Sequence, residues 1–296
     1  MNPDNAMHPT IRQLLAAGPV VTDGAWGTQL QASGLEPGHC PDAWNLLNPA
    51  KVEDVARAYV EAGSRIILTN TFRSNRLALS GYGLADKVAE LNRAGAEISL
   101  RAASGRALVF ASIGPSGKML MTGETTEEEL LAAFDEQAQA LAAGGAHGLV
   151  VETMSDLAEA VIAVRAAKQT GLPVVVSMVF DSGKNKDRTM MGQTPQQCAA
   201  ELAEAGADAI GANCGRGIAG YLPVCASLAA ATPLPVWIKA NAGLPEIIGG
   251  RLAYQDTPEQ FASFAPALID AGAKFIGGCC GTTPDFIRAL VQRVSG

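Results

Sequence analysis

Residues 148–180 read GLVVETMSDLAEAVIAVRAAKQTGLPVVVSMVF, and this stretch decides the fold. It opens on a short apolar run at 148–152, passes through an Ala-rich amphipathic segment at 156–168, and closes on a second apolar run at 173–180. Both runs are continuous rather than alternating, the pattern of strands covered on both faces, and a helix joining two such strands is the unit of a parallel sheet. The same rhythm continues in both directions. Apolar runs of strand length lie at 19–22, 65–70 and 107–113 before it, and at 209–213, 235–240 and 275–278 after it. Helical stretches fall between them, among them 51–62, 84–103 and 126–143.

Local signals mark where several of these helices begin and end. Thr126 with Glu129, Thr194 with Gln197 and Thr257 with Gln260 have capping-box spacing, and Pro195, Pro258 and Pro284 stand where a first-turn proline belongs. Ala-Gly pairs at 62–63, 205–206 and 271–272 supply the residue that accepts a left-handed helix terminus. Eight strands alternating with eight helices is the arithmetic of an α/β fold, a single (β/α)8 TIM barrel, with an open doubly wound sheet as its competitor. No linker, low-complexity segment or charge block divides the chain. The expected organisation is an N-terminal tail at 1–10 and one barrel domain at 11–296.

Composition narrows the function classes. The chain has 296 residues, 48% hydrophobic and 17% charged, which is globular. A net charge of −7 argues against nucleic acid or an anionic membrane surface as partner. No apolar run approaches the roughly 18 residues of a membrane helix, and the start MNPDNAMHPTIRQLL lacks the layout of a secretory signal. Six cysteines in a chain this long do not make a disulfide scaffold, so a reducing, cytoplasmic setting is expected. No exposed coiled-coil stripe is visible. Barrels of this kind often pair through helices, which leaves a homo-oligomer open.

In a barrel the chemistry lies where strands end and the following loops begin. At those positions stand Asp23 in TDGAWGTQL, Asn70 in LTNTFRSN, Glu152 in VVETMSD, Asn213 and Cys214 in GANCG, Asn241 in IKANAGLP, and Cys279 and Cys280 in GGCCGTTP. Three thiolates converging from two strand ends suit a tetrahedral zinc ion with one position open, the catalytic pattern. Each cysteine alone would read as a small buried apolar residue. Asp23 and Glu152 are compatible with a general acid and base, with anchors for an ammonium group, or with plain caps. Glu152 ends an apolar strand, where an ionised carboxylate is costly unless paired, and this favours a bound cation. Cys40, Cys198 and Cys225 are assigned to packing, and His8, His39 and His147 to positions away from the rim. The Gly215–Gly220 GxGxxG match lacks an acid about 20 residues on for a ribose hydroxyl and is set aside.

TDGAWGTQL, LTNTFRSN, GANCG, NAGLP and GGCCGTTP, in this order, resemble the homocysteine S-methyltransferase family over nearly the whole chain from about Ile11. The NTF and NAGLP segments bring it closest to the homocysteine-binding module of cobalamin-dependent methionine synthase. The resemblance implies a barrel in which Cys214, Cys279 and Cys280 hold zinc and the homocysteine sulfur completes the tetrahedron. It implies that Asn241 fills that place when substrate is absent, and that Asp23 and Glu152 grip the amino acid part, with backbone near Gly24 assisting. Asn70, Thr71 and Phe72 would line the pocket.

The implied chemistry is sound on its own terms. A free thiol is only a few per cent thiolate at pH 7, and metal coordination removes its proton outright. Such a sulfur attacks an activated methyl group, on cobalt, a sulfonium or a quaternary ammonium. No folate or cobalamin module follows the barrel in this sequence, so methylcobalamin is expected free or on a separate corrinoid protein. The polar loop DSGKNKDRTMMGQTP, with Lys184, Lys186, Asp187 and Arg188, is a candidate lid or docking surface for that partner. The alternatives are another thiol acceptor, an S-methylmethionine or betaine donor, or a non-catalytic zinc- or thiol-binding subunit of a corrinoid methyl-transfer complex. Betaine-type relatives hold their donor in an aromatic cage, and Trp26, Trp44 and Phe72 near the rim do not assemble one by sequence.

Overall fold

The computed structural model describes residues 7–248 and 251–295. The apolar runs become parallel strands of one sheet: β1 Val20–Val21, β2 Ile66–Ile67, β3 Leu108–Ile113, β4 Gly148–Met154, β5 Val174–Met178, β6 Ala209–Gly217 and β7 Val236–Asn241. After a short antiparallel hairpin, β8 Glu246–Ile248 and β9 Arg251–Ala253, comes the last barrel strand, β10 Ala273–Gly278. The sheet order is β1-β10-β7-β6-β5-β4-β3-β2. A parallel bridge between Thr22 and Ile66 joins its two ends, so the sheet closes. With helices between consecutive strands, this is a (β/α)8 TIM barrel and not the open sheet.

The barrel strands bury both faces along most of their length, with Lys274 of β10 an exposed exception, which is why they read as largely apolar runs. One face points into the barrel, where Phe110, Trp237 and Phe275 pack with Leu68, Val150 and Val175. The other meets the helices, whose Ala-rich stripes allow close approach. Strands β6 and β7 approach so closely that a Cβ on Gly211 would lie 1.9 Å from the Trp237 carbonyl oxygen, so only glycine fits there. The capping boxes at Thr126, Thr194 and Thr257 are all formed.

The structure departs from expectation in a few places. Helix Pro9–Leu15 starts inside the segment expected as a tail, because Ile11 and Leu14 bury their side chains in the interior cluster and plug the N-terminal end of the barrel. The remainder of that tail, 1–6, lies outside the described residues. The helix expected at 84–103 begins as a 3-10 turn, Ala85–Lys87, before α-helix Val88–Ala103. The loop after β1 carries its own helices, Gly27–Ala32 and Trp44–Leu47, and the first of these walls one side of the barrel mouth. No helix among the described residues is long and apolar enough to cross a membrane.

Candidate active site

Strands β6 and β10 reach the C-terminal mouth on either side of β7 and deliver three sulfurs to one point. Cys214 takes a left-handed backbone, φ +61°, which is uncommon for a residue with a Cβ and turns its side chain inward. The Tyr221 hydroxyl donates to the Cys214 carbonyl and holds that turn. Cys279 and Cys280 follow β10. The Cys279 N–H donates to the Ala240 carbonyl at 2.6 Å, the Ala242 N–H donates to the Cys280 carbonyl at 3.0 Å, and the Thr282 hydroxyl donates to the Cys279 carbonyl at 2.7 Å. The three Sγ atoms lie within 4.8 Å of one another, with Cys214 and Cys280 3.9 Å apart.

These sulfurs fit a zinc ion. Tetrahedral Zn–S bonds of about 2.3 Å place their sulfurs roughly 3.8 Å apart, close to the separation seen. Hydrogen bonds from Cys279 and Cys280 hold the Cys214 thiol well below its ordinary range, and Asn241 beside it adds to the effect. The same sharing, followed by burial, pushes Cys279 up. The Asn241 Oδ1 is buried without a hydrogen-bond partner among the described residues, an oxygen donor left over next to the trio. Asn213 sits behind Cys279. It is fully buried, its oxygen accepts from the Thr153 N–H at 2.9 Å and the Ser177 hydroxyl at 2.7 Å, and its Nδ2 faces the Cys279 sulfur at 3.8 Å.

The trio opens onto a cavity of about 370 Å³, and Gly24, Asn70, Phe72 and Glu152 line it as well. Glu152 is 8% exposed. Burial raises its carboxyl pKa, while the Lys239 ammonium and a hydrogen bond from the Ser112 hydroxyl pull it back. Asn70 lines the cavity with its own amide turned outward, donating to the Pro41 carbonyl and to Asn45 Oδ1. Gly24 is tight: a Cβ there would lie 2.8 Å from the Thr282 hydroxyl and from the Tyr59 ring.

Three residues expected at the substrate do not line this cavity. Asp23 is fully buried behind the wall, where Oδ2 accepts from Trp26 Nε1 at 2.8 Å and the Leu68 N–H at 2.7 Å, and Oδ1 pairs with Lys239. Thr71 turns its hydroxyl into the wall, donating to the Ser112 carbonyl at 2.7 Å. Asn241 stands beside Cys214, behind the lining.

Sequence reasoning missed several lining residues, among them Asp42, Arg73, Ser112, Lys239 and Tyr254. Lys239 is a lysine inside the otherwise apolar strand VWIKAN, and that anomaly was its only signal. Tyr254 follows the unforeseen hairpin and lies over Gly281, where a Cβ would come within 2.2 Å of its ring. Trp26, Phe72 and Tyr254 thus share the cavity, whereas Trp44 packs in the core with the Lys51 ammonium 4.9 Å from its ring centroid. The loop carrying Lys184, Lys186, Asp187 and Arg188 folds into a turn bridged between Ser182 and Arg188. The Arg216 guanidinium ties it to the end of β6 through the Lys186 carbonyl.

The chain is similar to known proteins over most of its length. The profile of the family described as "Homocysteine S-methyltransferase" matches residues 20–294. Methionine synthase of Mycobacterium leprae is 33% identical over 304 residues, covering 96% of this chain and 25% of that protein. Methionine synthase of Mycobacterium tuberculosis is 32% identical over 297 residues, covering 93% of this chain and 24% of that protein. The chain therefore spans about a quarter of the length of these curated relatives. Among solved structures, the metallated form of the homocysteine methyltransferase MmuM from Escherichia coli shares the fold, with a TM-score of 0.81, 24% identity, and coverage of 96% of this chain and 99% of that one.

Proposed function

This chain belongs to the homocysteine S-methyltransferase family, and from that premise we propose that it transfers an activated methyl group to the thiol of homocysteine, giving methionine. The observation that carries the proposal is the convergence of Cys214, Cys279 and Cys280 at a cavity that also holds one carboxylate with an unused oxygen, Glu152. These cysteines would hold zinc, which when bound acts as a Lewis acid and keeps the acceptor sulfur deprotonated at neutral pH. The residues of the chain do the rest. Asn213 fixes the Cys279 sulfur from behind, and Asn241 keeps a spare oxygen beside the trio. Glu152 receives the acceptor's ammonium, with Gly24, Asn70 and Phe72 shaping the space around it. Asp23 and Thr71 act indirectly, by setting the wall.

In the reaction the acceptor sulfur forms a bond to the methyl carbon while the bond from that carbon to its carrier breaks. The electron pair leaves with the carrier, and the thiol proton is lost to solvent. A methylcorrinoid is the donor we favour, because the matched relatives are methionine synthases. It would be free or on a corrinoid protein, docking at the rim where Lys184, Lys186 and Arg188 are exposed. A sulfonium or quaternary ammonium donor is the second reading, favoured by Trp26, Phe72 and Tyr254 around one cavity.

The test is mass-spectrometric detection of methionine from homocysteine and zinc-loaded protein. Methylcobalamin, S-methylmethionine and glycine betaine are supplied separately, and a methylated corrinoid protein forms a further arm. Methionine from one donor class supports the proposal and chooses between its two readings. No methionine from any arm rejects it.

A further inference from the structure

Lys239 is 1% exposed, and its side chain crosses Gly277, at which a Cβ would sit 3.3 Å from Lys239 Cγ, to reach Asp23 Oδ1. Burying an ammonium is costly unless it is paired, and Asp23 supplies that partner. The hydrogen bonds of the pair are unequal, however. Asp23 accepts from three donors, Trp26 and the Leu68 backbone on Oδ2 and Lys239 on Oδ1, so both of its oxygens are engaged. Lys239 carries three protons and has one acceptor among the described residues. It lines the same cavity as Glu152, whose Oε1 accepts from Ser112 and whose other oxygen has no protein donor among the described residues. An unsatisfied cation and an unsatisfied carboxylate therefore face one space.

We infer that Lys239 determines acceptor specificity: Lys239 and Glu152 form a mixed-charge pair that reads both ends of a zwitterionic thiol, Lys239 its carboxylate and Glu152 its ammonium. Asp23, engaged by Lys239, is removed from direct recognition. The inference rests on the homocysteine reading of the site and names what selects that substrate. Arg73 is the competing cation at the cavity. It is exposed, and its guanidinium is already turned to the Tyr82 hydroxyl at 3.2 Å.

The test is calorimetric binding of homocysteine, 3-mercaptopropylamine (no carboxylate) and 4-mercaptobutyrate (no ammonium) to zinc-loaded protein. Charge-assisted hydrogen bonds set the scale, so the unsubstituted chain should bind each trimmed thiol roughly tenfold or more weakly than homocysteine. Lys239→Met should weaken homocysteine and 4-mercaptobutyrate by a similar factor and leave 3-mercaptopropylamine unchanged. Glu152→Gln should do the converse. Because Lys239→Met strands a buried carboxylate, Asp23→Asn/Lys239→Met, which neutralises both partners, is measured beside it and should show the same selectivity. A carboxylate preference that survives both Lys239 variants, or that disappears in Arg73→Met instead, overturns the inference. If the unsubstituted chain binds none of the three thiols, the homocysteine reading itself fails and this inference falls with it. If homocysteine binds and selectivity stays with neither Lys239 nor Glu152, only this inference falls.

Discussion

The Asn213 carboxamide holds Cys279 from behind, its Nδ2 3.8 Å from the sulfur while its oxygen is locked by the Thr153 N–H and the Ser177 hydroxyl. Groups that orient a metal ligand in this way typically contribute about 10–100-fold in metal affinity. Asn213→Ala should therefore weaken zinc binding by that factor, measured by competition with a chromophoric chelator. Unchanged affinity would show that the carboxamide serves only the loop.

Removing one of the three sulfurs should be more severe. Cys279→Ala is expected to lower bound zinc from about one ion per chain to a trace by elemental analysis, since two thiolates do not complete a catalytic zinc site. Methionine formation should disappear with it, and chelation of the unsubstituted protein should reproduce the loss reversibly. The trio lies outside the buried apolar clusters, so the far-ultraviolet circular dichroism of the variant should match the parent.

Asp42 supplies a pH dependence opposite to that of most carboxylates. It is 1% exposed, accepts from the Ser74 hydroxyl at 2.7 Å and the Arg73 N–H at 2.9 Å, and burial pushes its pKa up to about 6. The folded state thus holds the proton more tightly than the unfolded state. This group's contribution is fully present below the unfolded value near 4 and declines as pH rises through about 6. Asp42→Asn keeps an oxygen for Ser74 and Arg73 and cannot ionise. The stability of the variant relative to the parent should rise between pH 4 and about 6, by at most roughly 3 kcal/mol, and then level off. Urea unfolding of both proteins across that range is the measurement, and a flat difference would contradict it.

Gly211 marks where the barrel tolerates no side chain. A Cβ there meets the Trp237 backbone carbonyl, which cannot rotate away as a side chain could. Gly211→Ala should destabilise the chain by about 3 kcal/mol or more, seen as a lowered denaturation midpoint with an unchanged slope. Gly171→Ala, at an open position with φ +76°, separates the backbone cost from the clash and should be the milder change.

The barrel was legible because a strand buried on both faces is mostly apolar, polar residues surviving there only where they find partners, and strand runs and helix caps recur together along the chain. The helices after β1 were not: Gly27–Ala32 has no side-chain cap, no acid in its first turn and only one fully buried residue, Leu30. In the site, residue type at a strand end was readable and side-chain direction was not. Thr71 and Asn70 are neighbours, and the partners that turn Thr71 into the wall come from β3 and from Thr69. Lys239 was passed over because it precedes the strand end, and its partner Asp23 is 216 residues away. No local pattern encodes such a pairing.

Asp23 also joins parts of the barrel that hydrogen-bond only sparsely to one another. β1 and β2 are two residues each and meet through a single bridge, and the Asp23 carboxylate adds the link to Leu68 just past β2 while also holding Lys239 of β7. One side chain therefore ties the seam of the closed sheet to the group that faces the substrate. For a lineage exploring other acceptors this is a constraint on evolvability: changes at Asp23 trade barrel integrity against selectivity in the same step. Drift toward new thiols is channelled instead to Glu152, Phe72 and Tyr254, which touch the cavity without closing the sheet.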